Sequence, residues 1–344
     1  MPGKSEMIIQ GLDVTKKVMV IAEIGNNHEG NYGLAEEMIR LAAEAGADAV
    51  KFQTIRPEHF IAPHLKARLE MLKKFELSWE QFGKLKQAAE RAGVLFLSTP
   101  FDLESARYLN ALVPAFKIAS GDNTFYPLIE EIAAFGKPIL LSSGMASVSP
   151  LRYAKALIER AWAKAGINPG LAVLHCVSSY PVPAHEAHLS MVRVIEKELG
   201  CIPGYSDHTL GIEAAVLSVA AGARVVEKHF TSNKNFSDFR DHKLSADPSD
   251  MKHMVQRIRE VEVLLGSGEK RVMDCEKENL QPMRRSICAA RELKRGEVLS
   301  SSDITWLRPG GGLEPGQEMQ VLGRRLKGNV AFGEGLMPEM LEET

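Results

Sequence analysis

Residues 18–53 read VMVIAEIGNNHEGNYGLAEEMIRLAAEAGADAVKFQ, and this stretch decides the fold. It opens on an apolar run, Val18–Ile24, and passes through a polar turn rich in Asn and Gly. The next segment places apolar positions 34, 35, 38, 39, 41 and 42 on one helical stripe, with Glu36, Glu37 and Arg40 opposite. A second apolar run, Ala47–Phe52, follows at once. Strand, amphipathic helix and strand in close succession form the unit of a parallel sheet, because a parallel neighbour requires a crossover.

The pattern recurs along the first ~270 residues. Apolar runs fall at Val18–Ile24, Ala47–Phe52, Val94–Ser98, Ala115–Ala119, Pro138–Ser142, Leu171–Cys176, Ile202–Ser206 and Arg224–Phe230. They are nearly continuous in hydrophobicity, as strands covered on both faces must be. Helical patterns separate them at Leu34–Ala45, Ser78–Ala92, Leu151–Ala165, Gly211–Ala221 and Pro248–Leu265. Eight such units in about 250 residues are the size of a (β/α)8 TIM barrel. A doubly wound open sheet is the alternative, but the first strand-to-helix turn lacks Gly-x-Gly-x-x-Gly. The barrel is therefore expected over 1–270.

Beyond Leu265 the texture changes. Residues 271–284 are polar and aperiodic and read as a linker. Residues 285–344 hold short strand-like pieces and many glycines. Within them Gly296-Glu-Val-Leu-Ser-Ser-Ser-Asp-Ile is echoed by Gly333-Glu-Gly-Leu-Met-Pro-Glu-Met-Leu, which suggests a small pseudo-symmetric β-rich module.

Composition narrows the function classes. The 344 residues carry 42 basic and 44 acidic side chains, a net charge of −2, without the basic excess of a nucleic-acid binder. No apolar run approaches the ~20 residues of a membrane span, and the start lacks a leader-like pattern. Cys176, Cys201, Cys275 and Cys288 form no Cys-x-x-Cys pair, which suits a reducing compartment. A cytoplasmic protein is expected.

In a TIM barrel the active site lies at the C-terminal strand ends, and polar residues gather there at nearly every expected strand. The ends supply Glu23, Lys51 and Gln53, Thr99, Lys117 and Ser120 with Asp122, Ser142, Ser178 and Tyr180, Ser206 to His208, and Glu227 to His229. Lys51 and Lys117 stand inside apolar strands, where an unpaired ammonium is costly. They could form stabilising ion pairs, act as a Schiff-base lysine, or grip an anion together with Ser120, Ser142 and Ser206. Two lysines among hydroxyls favour a phosphate or carboxylate ligand. His208 and His229 end neighbouring strands, with Glu23 and Asp207 as candidate oxygen donors. Two imidazoles with oxygen ligands suit Mn, Fe, Co, Ni or Zn. His28, His175, His185 and His188 make weaker cases and read as structural. Asp241-His-Lys243, in the polar loop after the last strand, offers contacts for a sugar-sized ligand.

Five longer motifs carry a family resemblance: Ala22-Glu-Ile-Gly-Asn-Asn-His28, Asp48-Ala-Val-Lys-Phe-Gln-Thr54, Phe116-Lys-Ile-Ala-Ser-Gly121, Tyr205-Ser-Asp-His-Thr209 and Val226-Glu-Lys-His-Phe-Thr231. Together they resemble the sialic acid synthase family, which includes N-acetylneuraminate, legionaminate and pseudaminate synthases and spore-coat polysaccharide relatives. The last ~60 residues, with Trp306-Leu-Arg-Pro-Gly310, resemble that family's antifreeze-like SAF domain, a β-clip fold. The resemblance implies condensation of phosphoenolpyruvate with the open-chain aldehyde of an N-acylated hexosamine, releasing phosphate. Lys51, Thr99, Lys117, Ser120, Ser142, Ser178 and Ser206 would then hold phosphoenolpyruvate. His208 and His229 would hold a divalent metal, Mn2+ foremost and Mg2+ or Co2+ as alternatives. Glu23 would be the acid/base, and Gln53, Asp122, Tyr180, Asp241 and Arg308 would contact the sugar. The arginine would come from a partner subunit, implying a domain-swapped homodimer.

Asp122 and Ser178 depart from the Glu and Asn usual in neuraminate-forming members. The reaction is therefore better specified than the acceptor. Competing expectations are a heptulosonate- or octulosonate-type condensing enzyme acting on a phosphorylated aldose, and a non-catalytic sugar-binding homologue.

Overall fold

A computed structural model describes residues 6–342, leaving out the side chain of Arg240. Residues 1–5, part of the stretch read as lacking a leader, lie outside the described residues. The chain divides into two compact units, Met1–Gly266 and Ser267–Thr344.

Every expected apolar run of the first unit contains a strand. These are β1 (Met19–Gly25), β2 (Ala49–Thr54), β3 (Leu95–Pro100), β4 (Phe116–Ile118), β5 (Ile139–Ser142), β6 (Leu171–Cys176), β7 (Ile202–Asp207) and β8 (Val225–His229). They form one parallel sheet in the order β3-β2-β1-β8-β7-β6-β5-β4. Its two ends, β3 and β4, pack side by side, so the sheet is a nearly closed barrel.

The long helices are α1 (Tyr32–Glu44), α4 (Trp79–Ala92), α7 (Val148–Ala165) and α11 (Pro248–Leu265). Their ends follow local chemistry. Ser78 and Gln81 form a reciprocal capping box on α4, and Gly93 closes that helix at φ +75°. The Asp247 carboxylate accepts from Asp250 N at 3.0 Å, just before Pro248 opens α11. The sequence pattern also anticipates α9 (Glu213–Ala220). It misses α2 (Pro57–Phe60), α3 (Lys66–Lys73), α5 (Leu103–Leu109), α6 (Tyr126–Ala134), α8 (Met191–Leu199) and α10 (Arg240–Leu244). Among the described residues, no helix is long and apolar enough to cross a membrane.

Side chains alternate across each strand, and the core divides accordingly. Val20, Ala22, Val50, Phe52, Ile118 and Val226 point outward against the helices. Met19, Ile21, Ala49, Leu97, Leu140, Leu174 and Val225 point into the barrel. A small hairpin, Ile8–Ile9 with Leu12–Asp13, adds Met7, Ile9 and Val14 to that inner cluster and fills the N-terminal end. The interior is tight. A Cβ on Gly204 would lie 2.8 Å from both Leu174 Cγ and Val225 O. With the lower barrel packed by hydrocarbon, the inward positions left for polar groups are the last ones on each strand.

In the second unit β9 (Ser286–Ala289) pairs antiparallel with β10 (Ile304–Leu307). Ile287, Leu293, Leu299, Ile304, Leu326 and Leu336 form the core. The internal echo is structural. Lys294 N donates to Glu297 Oε1 and Ala331 N to Glu334 Oε2, at 3.0 and 2.9 Å. Gly296 and Gly333 adopt φ +85° and +81° in these matching turns. Residues 274–283, expected to lack regular structure, form a 3-10 stretch, Asp274–Asn279, and the short helix α12, Leu280–Met283. Glu276 caps the first of these by accepting from Met273 N at 2.9 Å.

Candidate active site

Strand alternation sorts the polar strand ends into two sets. Glu23, Lys51, Gln53, Thr99, Lys117, Ser142, Ser206, Glu227 and His229 face inward onto a cavity of about 1020 Å³. The loops bring Ser120, Ser178, Tyr180, His208 and Asp241 to the same cavity. Asp207 and Lys228 face the helices instead and pair at 2.9 Å. Asp207 also accepts from Tyr205 Oη at 3.2 Å and Thr209 N at 2.8 Å. This corrects the expectation of Asp207 as an oxygen donor beside the histidines: it lies one residue from Ser206 and so on the opposite face.

Four buried charges form the floor. Lys51 Nζ lies 2.7 Å from Glu23 Oε2 and 3.7 Å from Glu227 Oε2, and donates to Thr99 Oγ1 at 3.0 Å. Lys117 Nζ lies 3.4 Å from Glu227 Oε1, which also accepts from Ser206 Oγ at 2.9 Å. The register accounts for the contacts, since Glu23 is the lateral neighbour of both Lys51 and His229. Both lysines are thus ion-paired. Whether they also grip an anion depends on what else faces them.

The protonation order is asymmetric. Burial pushes Glu23 up despite Lys51 beside it. Glu227 is equally buried, yet the ammoniums of Lys117 and Lys51 outweigh desolvation and hold it low. Desolvation lowers Lys117, while at Lys51 the carboxylates of Glu227 and Glu23 overcome it. Burial thus biases Glu23 toward its protonated form, while the two lysines hold Glu227 ionised. Gln53 Nε2 donates to Glu23 Oε1 at 3.1 Å and fixes its orientation.

Hydroxyls with unused bonding capacity stand beside this floor. Ser142 Oγ and Ser178 Oγ are buried and, among the described residues, have no hydrogen-bond partner. An unmet buried polar group costs about 1–3 kcal/mol, so the arrangement suits a polar ligand. Gly144 makes the room: a Cβ there would overlap Ser178 Oγ and lie 2.6 Å from Ser120 Oγ. Its N–H donates to Ser120 Oγ at 3.1 Å.

The two histidine rings lie 5.3 Å apart, tilted at 48°. Val177 O sits 2.9 Å from His208 Nδ1 and can only accept. In the neutral ring the His208 lone pair is therefore on Nε2. Burial pushes His229 well below the usual range, which keeps it an uncharged imidazole. Such a pair fits a divalent cation completed by water or substrate. Among the described residues, the only close group of three or more His, Cys, Asp or Glu ligand atoms is His59, Asp102 and Glu104, outside the cavity wall.

Of the other sequence candidates, His242, Lys243, Asp122 and Arg308 are also absent from that wall. Asp122 lies on the 3-10 turn Ser120–Asp122, and burial pushes its carboxyl up to about 6. Arg308 is exposed in the second unit, after β10. His28 is buried, its Nδ1 accepting from Gly30 N at 3.0 Å, in keeping with a structural part. His175 Nε2 lies 2.8 Å from Ala187 O. The pairing role of Glu227 escaped sequence reading, although its period-two spacing from His229 signals the shared face. Nothing in the sequence announced the apolar wall of Ile55, Phe60, Leu72, Phe75, Phe101 and Phe239.

The chain is similar to known proteins along most of its length. Residues 38–270 match the NeuB family and residues 284–342 the SAF domain. An uncharacterized protein of Methanocaldococcus jannaschii is 45% identical over 309 residues, covering 90% of each chain. The N,N'-diacetyllegionaminic acid synthase of Legionella pneumophila is 38% identical over 337 residues, covering 94% of each. The crystal structure of an N-acetylneuraminic acid synthetase from Leptospira borgpetersenii, in complex with citrate, superposes with a TM-score of 0.76 at 33% identity. That match covers 80% of this chain and 95% of the other. The chain thus belongs to the NeuB family, that of the sialic acid synthases, and carries a SAF domain after its barrel.

Proposed function

We propose that the protein condenses phosphoenolpyruvate with the open-chain aldehyde of an N-acylated hexosamine, giving a nonulosonic acid and phosphate. The observation that carries this reading is the buried Glu23–Lys51–Glu227–Lys117 floor facing the unpartnered hydroxyls of Ser142 and Ser178. Lys51 and Lys117 would meet the anionic groups of phosphoenolpyruvate, with Thr99, Ser120, Ser142, Ser178 and Ser206 orienting them. The hexosamine would lie toward Gln53, Tyr180 and Asp241, whereas Asp122, expected to contact it, sits on the Ser120–Asp122 turn outside the cavity wall. N-acetylmannosamine and 2,4-diacetamido-trideoxyhexoses are the candidate acceptors, and the apolar wall suits N-acyl methyl groups.

In the reaction, C3 of phosphoenolpyruvate forms the new bond to the aldehyde carbon, whose oxygen becomes a hydroxyl by taking one proton. Water adds at C2, and the tetrahedral intermediate collapses to the ketone as the C2–O bond to phosphate breaks. Water supplies both protons, one ending on the aldehyde oxygen and one on phosphate. Glu23 would accept a proton from that water and return it during collapse, which suits its raised pKa. Glu227 would keep both ammoniums charged throughout. A divalent cation, Mn2+ foremost with Mg2+ or Co2+ as alternatives, would be held by His208 and His229 and would polarise the aldehyde carbonyl.

His208→Ala tests the site. Calorimetric Mn2+ titration is expected to show binding lost together with turnover, at unchanged circular dichroism. Undiminished Mn2+ binding would remove His208 as a ligand. We further propose that Arg308 of a second copy completes the sugar site in a domain-swapped homodimer. In support, Arg308 is exposed and makes no hydrogen bond or ion pair among the described residues. Mixing Arg308→Ala with Glu23→Gln and allowing subunit exchange should restore about one site in four. No recovery from verified heterodimers would contradict sharing.

A further inference from the structure

The loop between β1 and α1 and the loop after β8 are joined by side chains for which the proposed chemistry has no use. Glu29 is at the centre. It is a non-glycine residue at φ +47°, followed by Gly30 at +79°, where a Cβ would overlap Lys74 O. A left-handed glutamate is uncommon and persists only where its surroundings dictate it. Here its carboxylate faces the β8 loop, accepting from Ser237 Oγ and from His242 Nε2, the latter at 3.1 Å. His242 is fully buried, and its Nδ1 lies 2.7 Å from Thr231 Oγ1. Two loops far apart in sequence are thus fastened through one carboxylate.

What the fastening controls is visible in the next residues. Asp241 and Phe239 line the cavity. Asp241 directly precedes His242, and its carbonyl accepts from Ser245 Oγ at 2.6 Å. Ser245 Oγ in turn accepts from Asn27 Nδ2 at 3.0 Å, a second tie to the first loop. Phe239 N donates to Ser237 Oγ at 3.0 Å, and its ring meets Phe75 at 5.1 Å. Asp238, which also lines the cavity, follows Ser237 directly, so each cavity-facing residue of this loop adjoins or is hydrogen-bonded to a residue held by Glu29.

We propose that Glu29 and His242 are positioning residues, a latch between the two loops that preorganises the acceptor side of the cavity and leaves the phosphoenolpyruvate side untouched. The assignment of an acceptor side rests on the synthase reading above; the latch itself does not. Small misplacements of a contact residue are costly in rate and binding. Glu29→Ala is therefore expected to raise KM for the acceptor about tenfold or more, with KM for phosphoenolpyruvate unchanged. His242→Gln, whose amide still reaches Glu29, should stay close to wild type, whereas the shorter His242→Asn should behave like Glu29→Ala. Amide hydrogen exchange over residues 231–245 should quicken in Glu29→Ala and His242→Asn, with the barrel strands as slow as before. A merely structural part would lower the melting temperature without separating the two KM values, and that result would overturn the proposal. Unchanged exchange over 231–245 would overturn the latch whatever the protein turns over. Faster exchange in variants of a protein that consumes no phosphoenolpyruvate would uphold the latch and defeat the synthase reading.

Discussion

Glu23→Gln is expected to lower kcat by about 10²–10⁴-fold, the range for a removed general acid/base, while phosphoenolpyruvate still binds. The substitution is close to isosteric, so Gln53 keeps a partner, and Lys51 retains Glu227 at 3.7 Å. What is lost is the proton-exchanging group, the one floor carboxyl that burial drives upward. The pH profile gives an independent check. If deprotonated Glu23 receives the proton from water, activity falls as pH drops through its raised folded value. The acidic limb should then lie above the ordinary carboxylate range and vanish in the variant. Steady-state kinetics across pH, with a phosphoenolpyruvate titration, decide it. A fully active Glu23→Gln protein would require another acid/base. Unchanged properties in a protein without turnover would favour the sugar-binding alternative.

The second large effect is on stability. Glu227→Gln is expected to cost about 3–5 kcal/mol, as when a buried ion pair loses one partner. Glu227 is the only carboxylate within ion-pair distance of Lys117 among the described residues. Its loss strands that ammonium and leaves Lys51 with Glu23 alone. The double variant Glu227→Gln/Lys117→Met should recover much of the loss, because no unpaired charge remains. Phosphoenolpyruvate should raise the melting temperature of the single variant more than that of wild type, by supplying the missing negative charge. The linkage has a definite sign. Glu227 is held below the usual carboxylate range when folded, so its stabilisation is complete above that range. It is lost as pH falls toward the folded value. Urea melts at neutral pH and near pH 4 measure both effects. A single variant as stable as wild type would mean the floor does not carry these charges.

Most of the fold was legible because a barrel strand covered on both faces leaves a dense apolar run, and each of the eight did. Pro248–Leu265 was legible to the residue, since Asp247, Pro248 and Gly266 punctuate both ends. Tyr126–Ala134 was not, although Leu128, Ile129, Ile132 and Ala133 form a buried stripe, because nine residues give too few turns for the period to stand out. The paired strands Ile8–Ile9 and Leu12–Asp13 are too short to alternate, yet Met7, Ile9 and Val14 close the N-terminal end of the barrel.

The site was legible where chemistry is unusual for its setting. Lysines within apolar strands and histidines at neighbouring strand ends announced themselves. Asp207 was misplaced because strand ends were read as clusters rather than as alternating faces. The same period of two that turns Asp207 outward brings Glu227 in beside both lysines. The Glu29–His242 contact had no local signal, since it joins residues 213 positions apart.

The most direct measurement is phosphate release from phosphoenolpyruvate, with 2-keto acid formation followed in the same samples. N-acetylmannosamine, its 6-phosphate, 2,4-diacetamido-trideoxyhexoses and arabinose 5-phosphate would serve as acceptors, with Mn2+ or after EDTA treatment. The expected result is equal phosphate and keto acid with an unphosphorylated N-acylated hexosamine, abolished by EDTA. Release only with arabinose 5-phosphate, or no release with any acceptor by a protein that does not bind phosphoenolpyruvate, would contradict the synthase assignment.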